Sequence, residues 1–305
     1  RMNSIHVYTG FMSTLQPALF AFPETCGRVD RLGSVDVTYR RAASILNPGT
    51  GSLSGFDFSL NPYTGCQFGC AYCYAAAFVP SADKADAWGQ WVEVKENAVE
   101  LLRRRPDVAG KSLYIGSVTD PYQPLEAKTE LTRAILEHLA SLSVPPRIVI
   151  QTRGPLVARD IDVLRRFPVV RVNMSITTDC DTVRKRYEPC CASIARRFEA
   201  LRDLKEAGIA VGVCISPMLP IIDAEAFAVR INALRPDRVS ASGFHISERA
   251  FAANTRAEAW DLLREDGWDA KAYHRTMQVL RRAIPQLTRG DDAFVADARP
   301  AEQAA

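Results

Sequence analysis

From residue 56 onward the chain alternates short apolar runs with longer amphipathic ones, and this alternation leaves few folds open to it. Residues 56–60, 112–117, 147–152, 169–177, 209–215 and 238–243 read as strands. Residues 93–105, 128–142, 159–167 and 192–207 read as helices, with Gly208 placed to stop the last of them. Strands separated by helices pair in parallel through right-handed crossovers. Six such units are too few to close an eight-stranded barrel, so the expectation is an α/β fold built as a partial (β/α)6 TIM-like barrel. Residues 1–55 carry no clear period, with a Pro/Gly loop at 47–55; residues 260–265 and 269–283 read as helices, and 291–305 as a polar tail. The expected organisation is an N-terminal extension over 1–55, the barrel over 56–245, and a C-terminal helical extension over 246–305.

In parallel β/α folds the chemistry sits at the C-terminal ends of the strands. Directly after the first strand stands Asn61-Pro62-Tyr63-Thr64-Gly65-Cys66-Gln67-Phe68-Gly69-Cys70-Ala71-Tyr72-Cys73-Tyr74. Three thiolates spaced C-x3-C-x2-C on one loop suit three irons of a [4Fe-4S] cube and leave the fourth iron open. Gly65 and Gly69 let the backbone curl around such a cluster. Two other readings stand beside it. A zinc site needs four protein ligands, and no well-spaced fourth follows. Three unrelated core cysteines would be a coincidence.

The bulk composition fits an enzyme of this kind. The 305 residues are 47% hydrophobic and 24% charged, which is enough apolar material for a sizeable core. A net charge of +3 does not demand a nucleic-acid or membrane partner. The longest apolar run of interest, residues 207–222, is interrupted by Pro217 and Pro220 and falls short of the roughly 20 residues a membrane helix needs. The mildly apolar residues 15–22 have only Arg1 as a basic residue before them, so no secretory signal and a cytoplasmic location are expected. In that setting the eight cysteines point to metal or cluster binding rather than to disulfides.

The cysteine motif with Tyr72 before its last member resembles the signature of the radical S-adenosylmethionine (SAM) superfamily. The longer string around it resembles the spore photoproduct lyase-like branch, as do Ser117-Val118-Thr119-Asp120-Pro121-Tyr122-Gln123-Pro124-Leu125-Glu126, Ser175-Ile176-Thr177-Thr178-Asp179, Tyr187-Glu188-Pro189 and Ile215-Ser216-Pro217-Met218-Leu219-Pro220. These matches run in order over residues 56–222. The resemblance implies a barrel of the radical SAM type, with cluster ligands Cys66, Cys70 and Cys73. It implies SAM chelating the open iron, and reductive cleavage to a 5′-deoxyadenosyl radical that takes hydrogen from a substrate. It also implies a reductase partner such as flavodoxin or ferredoxin.

The further SAM contacts implied are Tyr72 near the adenine, Arg153 on the carboxylate, Ser175 on the ribose, Ser117 and Asp120 at the methionyl amino end, and Glu188 on the ribose or amino group. Arg153 also reads as a surface cation, and Asp120 before Pro121 as the start of a turn. Ser175 has independent support, because Asn173, Ser175 and Thr177 share one strand face while Val172, Met174 and Ile176 share the other. Photoproduct lyase has a hydrogen-donor cysteine at the end of the second barrel strand. Here that stretch is Tyr114-Ile115-Gly116-Ser117-Val118-Thr119-Asp120, which argues against DNA photoproduct repair.

Cys180, Cys190, Cys191 and Cys214 follow the fourth and fifth strands, with Cys26 apart. They read either as ligands of an auxiliary iron–sulfur cluster, able to bind substrate or give up sulfur, or as small packed residues. His245 after the sixth strand is a candidate for the substrate pocket. The basic runs Arg103-Arg104-Arg105 and Arg184-Lys185-Arg186 suit a helix C-terminus and a solvated helix or phosphate contact respectively. The overall expectation is a radical SAM enzyme acting on a small polar substrate, a nucleoside or nucleotide by branch analogy. Sulfur insertion from an auxiliary cluster competes there with radical rearrangement or bond cleavage without one. A non-catalytic iron–sulfur or zinc-binding module is the reading from another class.

Overall fold

The computed structural model of the chain describes residues 28–79, 81–245, 254–290 and 295. Cys26, the stretch 15–22 and, apart from Val295, the tail 291–305 lie outside them. Twelve strands are formed among the described residues: β1 (Arg31–Leu32), β2 (Val35–Arg40), β3 (Leu46–Pro48), β4 (Phe58–Leu60), β5 (Tyr63–Gly65), β6 (Trp91–Lys95), β7 (Ser112–Ile115), β8 (Arg147–Thr152), β9 (Val170–Ser175), β10 (Ala210–Ile215), β11 (Arg238–Ala241) and β12 (Leu287–Arg289). Eight make one sheet in the order β12-β11-β10-β9-β8-β7-β4-β3. Every pairing in it is parallel except β3 with β4. The six expected strands are its consecutive centre, as a partial TIM-like barrel requires, and β3 and β12 flank them.

The two faces of β9 show how the sequence builds the sheet. Val172, Met174 and Ile176 are fully buried in the main core with Val211, Val213, Phe198 and Leu201. Burying each such side chain contributes roughly 1.5–3 kcal/mol. The opposite face is polar and equally buried: Arg171 donates through Nε to Asn173 Oδ1 at 3.0 Å and through Nη2 to the Val295 carbonyl at 2.7 Å. Gly212 is registered beside Asn173, where a Cβ would lie 2.3 Å from its Oδ1. Burying polar groups without partners is costly, so this inner layer is closed by hydrogen bonds.

Four local expectations are corrected. Residues 93–105 do not form one helix: β6 occupies Trp91–Lys95 and the helix is Ala98–Arg103. Val92 and Val94 alternate with half-buried neighbours, and strand pairing with β2 and β5 outweighs helix propensity there. Residues 28–55 are not aperiodic, since they supply β1, β2 and β3, with β1-β2-β6-β5 forming a second sheet. The helix expected over 128–142 is split into Glu126–Thr129 and Leu131–Ala140 at Glu130, whose φ is 47°. The buried Glu126 carboxylate causes the break by accepting from the Thr132 and Arg133 amides at 2.9 and 3.2 Å, and so caps the second helix. Residues 159–167 are a 3-10 turn, Pro155–Asp160, and a short helix, Ile161–Leu164. Helices Asp181–Tyr187 and Ala224–Leu234 were not foreseen as such, whereas Ile194–Glu206, Ala257–Glu265 and Ala270–Ala283 match expectation closely.

Two features hold the strand ends in place. Gly116 follows β7 with φ 94°, and a Cβ there would lie 2.5 Å from the Gln151 carbonyl and 2.7 Å from Pro121. Below it, the Glu188–Arg197 ion pair is fully buried at both side chains. Arg197 also donates to the Ser175 and Ala192 carbonyls at 2.9 and 3.1 Å. Glu188 accepts from Tyr72 and, at 2.8 Å, from Thr177. Burial alone would raise the Glu188 carboxyl, but the Arg197 and Arg153 guanidiniums and the Tyr72 hydroxyl hold it at about 2.

Gly116→Ala therefore forces a strained left-handed residue into contact, and thermal unfolding will show a loss of about 1–3 kcal/mol. Glu188→Gln leaves a buried guanidinium without its counter-charge, and chemical denaturation will show a loss of about 3–5 kcal/mol. Because the folded value lies below the ordinary 4.5, the pair's contribution is complete above that pH and is lost as pH falls toward about 2. Wild-type stability measured from pH 6 downward will accordingly lose more than that of Glu188→Gln across roughly pH 4.5 to 2.

Candidate active site

β5 delivers the chain to Cys66, and the loop that follows carries all three motif cysteines. Gly65 and Gly69 adopt φ of 80° and 57°, and Gly69 packs against Gly89 so closely that a Cβ there would lie 3.3 Å from its Cα. Two turns wind the loop, Gly69 N to Cys66 O at 3.4 Å and Cys73 N to Cys70 O at 3.1 Å. The loop is tied to the strand ends around it. Thr119 donates to the Gly65 carbonyl at 2.6 Å, the Gln67 amide donates to Gln123 at 2.8 Å, and the Ala71 amide donates to the Tyr187 carbonyl at 2.8 Å. Asn61 donates to Ser117 Oγ at 3.0 Å and accepts from the Val118 amide at 3.1 Å.

A cleft open to solvent lies over this loop and the C-terminal ends of β7, β8, β9 and β10. Of the sequence candidates, Cys66, Tyr72, Cys73, Ser117, Asp120, Arg153, Ser175, Cys214 and His245 line it. Cys70 is buried behind them, and Glu188 stands behind Tyr72 through their hydrogen bond. The Arg153 guanidinium lies 5.9 Å from the Tyr72 ring centre and 3.5 Å from Ser175 Oγ, while its amide donates to Asp120 at 2.8 Å. Asp120 also accepts from Thr152 Oγ1 at 2.6 Å; burial nevertheless raises its carboxyl above the usual range, against the pull of Arg153. It therefore fixes the β8 exit as well as starting a turn to the Tyr122 amide at 2.9 Å.

The other cysteines differ in their surroundings. Cys214 contacts Gln151 Oε1 at 3.6 Å and Ser240 Oγ at 3.5 Å in the barrel interior. Cys191 is buried against Cys70 with 3.9 Å between sulfurs, Cys180 is half-buried and Cys190 is exposed. Among the described residues, no three His, Cys, Asp or Glu side chains converge as the ligands of a single ion must. The motif thiols are not gathered as the four ligands of a single zinc ion would be, whereas the ligands of a cube sit on separate corners.

The donor set fits a soft, strongly charged group. Burial pushes the Cys66 thiol well up, and the charges of Asp120, Cys73 and Cys70 push it further. Burial and Cys70 together raise Cys73 to about 11. Cys70 moves the opposite way because Cys191 hydrogen-bonds to it. Neighbouring thiols that oppose one another's ionisation need a cationic cluster to bind as thiolates. Three buried polar atoms on this cleft find no hydrogen-bond partner among the described residues: Arg153 Nε, Ser216 Oγ and Trp88 Nε1. A polar ligand is what satisfies such groups.

Gln151, Trp88, Tyr74 and Ser216 also line the cleft and were not singled out. Period two on β8 puts Gln151 on the face of Arg153, a signal that was legible. Trp88 comes from outside the barrel strands, and nothing in its local sequence announces it.

The Radical SAM superfamily model matches residues 60–231, more than half of the chain. Among curated proteins, an uncharacterised protein of Methanocaldococcus jannaschii is 34% identical over 192 residues, covering 63% of this chain and 71% of that protein. A protein of Pseudomonas phage M6 named radical SAM Nalpha-GlyT isomerase is 28% identical over 165 residues, 52% of this chain and 32% of that one. The chain spans 60% of another relative, from Acidianus two-tailed virus. Spore photoproduct lyase complexed with dinucleoside spore photoproduct superposes with a TM-score of 0.57 over 83% of this chain and 81% of that one, at 12% identity, a likeness of fold alone. The family implies an enzyme with a [4Fe-4S] cluster and SAM, and with the fold in agreement the chain belongs to the radical SAM superfamily.

Proposed function

We propose that Cys66, Cys70 and Cys73 ligate the cluster, and that the cleft above them binds SAM beside a small polar substrate of the nucleoside or nucleotide class. What carries this reading is that Arg153 and Ser216, whose Nε and Oγ are buried and without partners among the described residues, line the same cleft as Cys66 and Cys73. When bound, the cluster supplies the electron that cleaves SAM to a 5′-deoxyadenosyl radical. The protein's part is to bind, orient and shield. Arg153, held by Asp120 at its backbone, presents its guanidinium to a carboxylate. Ser175 Oγ, already accepting from Gln151 at 2.9 Å, keeps its proton for a ribose hydroxyl. Tyr72, pinned by Glu188, offers its ring edge and backbone to the adenine. Ser117 and Asp120 stand at the β7 exit for the amino end. Glu188 acts through Tyr72 rather than by direct contact, because Arg197, Tyr72 and Thr177 already engage both of its oxygens.

We take the reaction to be radical rearrangement or bond cleavage without an auxiliary cluster. What supports this is that Cys214 lies in the barrel interior beside Gln151 and Ser240 whereas Cys191 lies against Cys70, that Cys190 is exposed, and that the phage relative is named an isomerase. The catalytic unit is the barrel of residues 56–245, with extensions over 1–55 and 246–305. The protein works in the cytoplasm with a flavodoxin or ferredoxin as reductant. Among the described residues, no helix is long and apolar enough to cross a membrane.

Anaerobic reconstitution should give about four irons per chain and, with dithionite and SAM, release 5′-deoxyadenosine; Cys66→Ala, Cys70→Ala and Cys73→Ala should each abolish both. About eight irons would instead favour sulfur insertion, and iron without 5′-deoxyadenosine a non-catalytic module. Arg153→Ala should weaken SAM binding roughly 10–100-fold by equilibrium titration, with Arg153→Lys retaining part of it.

A further inference from the structure

Cys191 lies outside the ligand motif, yet its sulfur is 3.9 Å from Cys70 Sγ. Among the described cysteines this is the sulfur–sulfur pair within hydrogen-bonding reach. Both are nearly enclosed, Cys70 at 2% exposure and Cys191 at 6%. The contact is not a chance approach of two mobile side chains, because the segment bearing Cys191 is fixed from several directions. Its amide donates to the Glu188 carbonyl at 3.1 Å. Arg184 Nη1 donates to the Glu188 and Cys191 carbonyls at 3.2 and 2.7 Å, closing the turn from inside. Glu188 is held by Arg197 and by Tyr72 of the cluster loop, and the Ala71 amide donates to the Tyr187 carbonyl. The cluster loop and the 187–191 turn are thus joined beside the Cys70–Cys191 contact, by Ala71 to Tyr187 and by Tyr72 to Glu188.

We propose that Cys191 is a positioning residue that sets the reduction potential of the cluster by donating an S–H hydrogen bond to the Cys70 ligand sulfur. The direction of that bond is dictated by chemistry. A cysteine bound to iron carries no proton and can only accept, so of the two sulfurs only Cys191 can donate. A hydrogen bond to a ligand sulfur withdraws electron density from the cluster and stabilises its reduced form, so it raises the potential. Because the site is enclosed, water does not compete for the same lone pair. The inference rests on Cys70 being a cluster ligand, as proposed above, and assigns Cys191 a role distinct from ligation.

The test is a potentiometric titration of the anaerobically reconstituted protein, followed by the signal of the reduced cluster, with iron counted per chain in each variant. Cys191→Ala, which removes the donor, should keep about four irons but shift the midpoint to a more negative potential. Cys191→Ser, which keeps a donor on a similar stem, should stay nearer the wild type than Cys191→Ala. An unchanged midpoint in Cys191→Ala overturns the proposal, as does an equal shift in both variants, which would report the altered cavity rather than the hydrogen bond. Loss of iron in both variants also overturns it by making Cys191 a ligand. A wild-type protein that takes up no cluster refutes the cluster assignment itself, an outcome the iron count separates from the rest.

Discussion

The structure depends on holding three thiols together in a buried loop before anything neutralises their charge. Two of the three, Cys66 and Cys73, are pushed away from ionisation by burial and by the neighbouring Cys70. Such a loop is stable as neutral thiols and becomes a strong ligand set only when a metal cluster displaces the protons. The surroundings supply the order the loop cannot supply itself. Glycines at positive φ permit its curl, β5 anchors its entry, and hydrogen bonds from Thr119, Gln67 and Ala71 fasten it to the strand exits and to the 187–191 turn. Most of these contacts are to backbone, so they fix where the sulfurs point without depending on the cluster.

The Glu188–Arg197 pair carries this order into the cleft. Arg197 reaches the Ser175 carbonyl at the end of β9, while Glu188 reaches Tyr72 beside the cysteines. One buried charge pair therefore ties the strand end proposed for ribose recognition to the residue proposed for adenine contact. A pair of this kind adds little net stability compared with apolar packing, but it penalises heavily any conformation that separates its members. Arg153 lies within the same electrostatic field, lines the cleft, and has a buried Nε with no partner among the described residues.

Much of the barrel was legible because period and alternation carry it: β9 reads from its two faces, and β10 and β11 from their short apolar runs. The errors fall where a long-range partner decides. Val92 and Val94 sit in a stretch with helical composition, yet β2 and β5 offer ladders on both sides and strand wins. Glu130 interrupts a helical pattern because Glu126, packed under Tyr63 and Arg159, caps a new helix. At the site, motif spacing points to the three cysteines and strand-end position to Ser117, Asp120, Arg153 and Ser175. The surroundings of the second set of cysteines were not legible, since the contact of Cys191 with Cys70 and of Cys214 with Gln151 joins residues far apart in the chain. Cys191 faces Cys70 only because a helix and a buried Glu188 swing the 187–191 turn under the cluster loop.

The proposed ligand motif leaves one metal corner free for SAM. Mössbauer spectroscopy of 57Fe-reconstituted protein, recorded with and without SAM, tests it directly. A single cubane spectrum is expected, in which about one iron in four changes its isomer shift when SAM is added. A cubane whose irons all ignore SAM, or a spectrum of isolated iron, would contradict it.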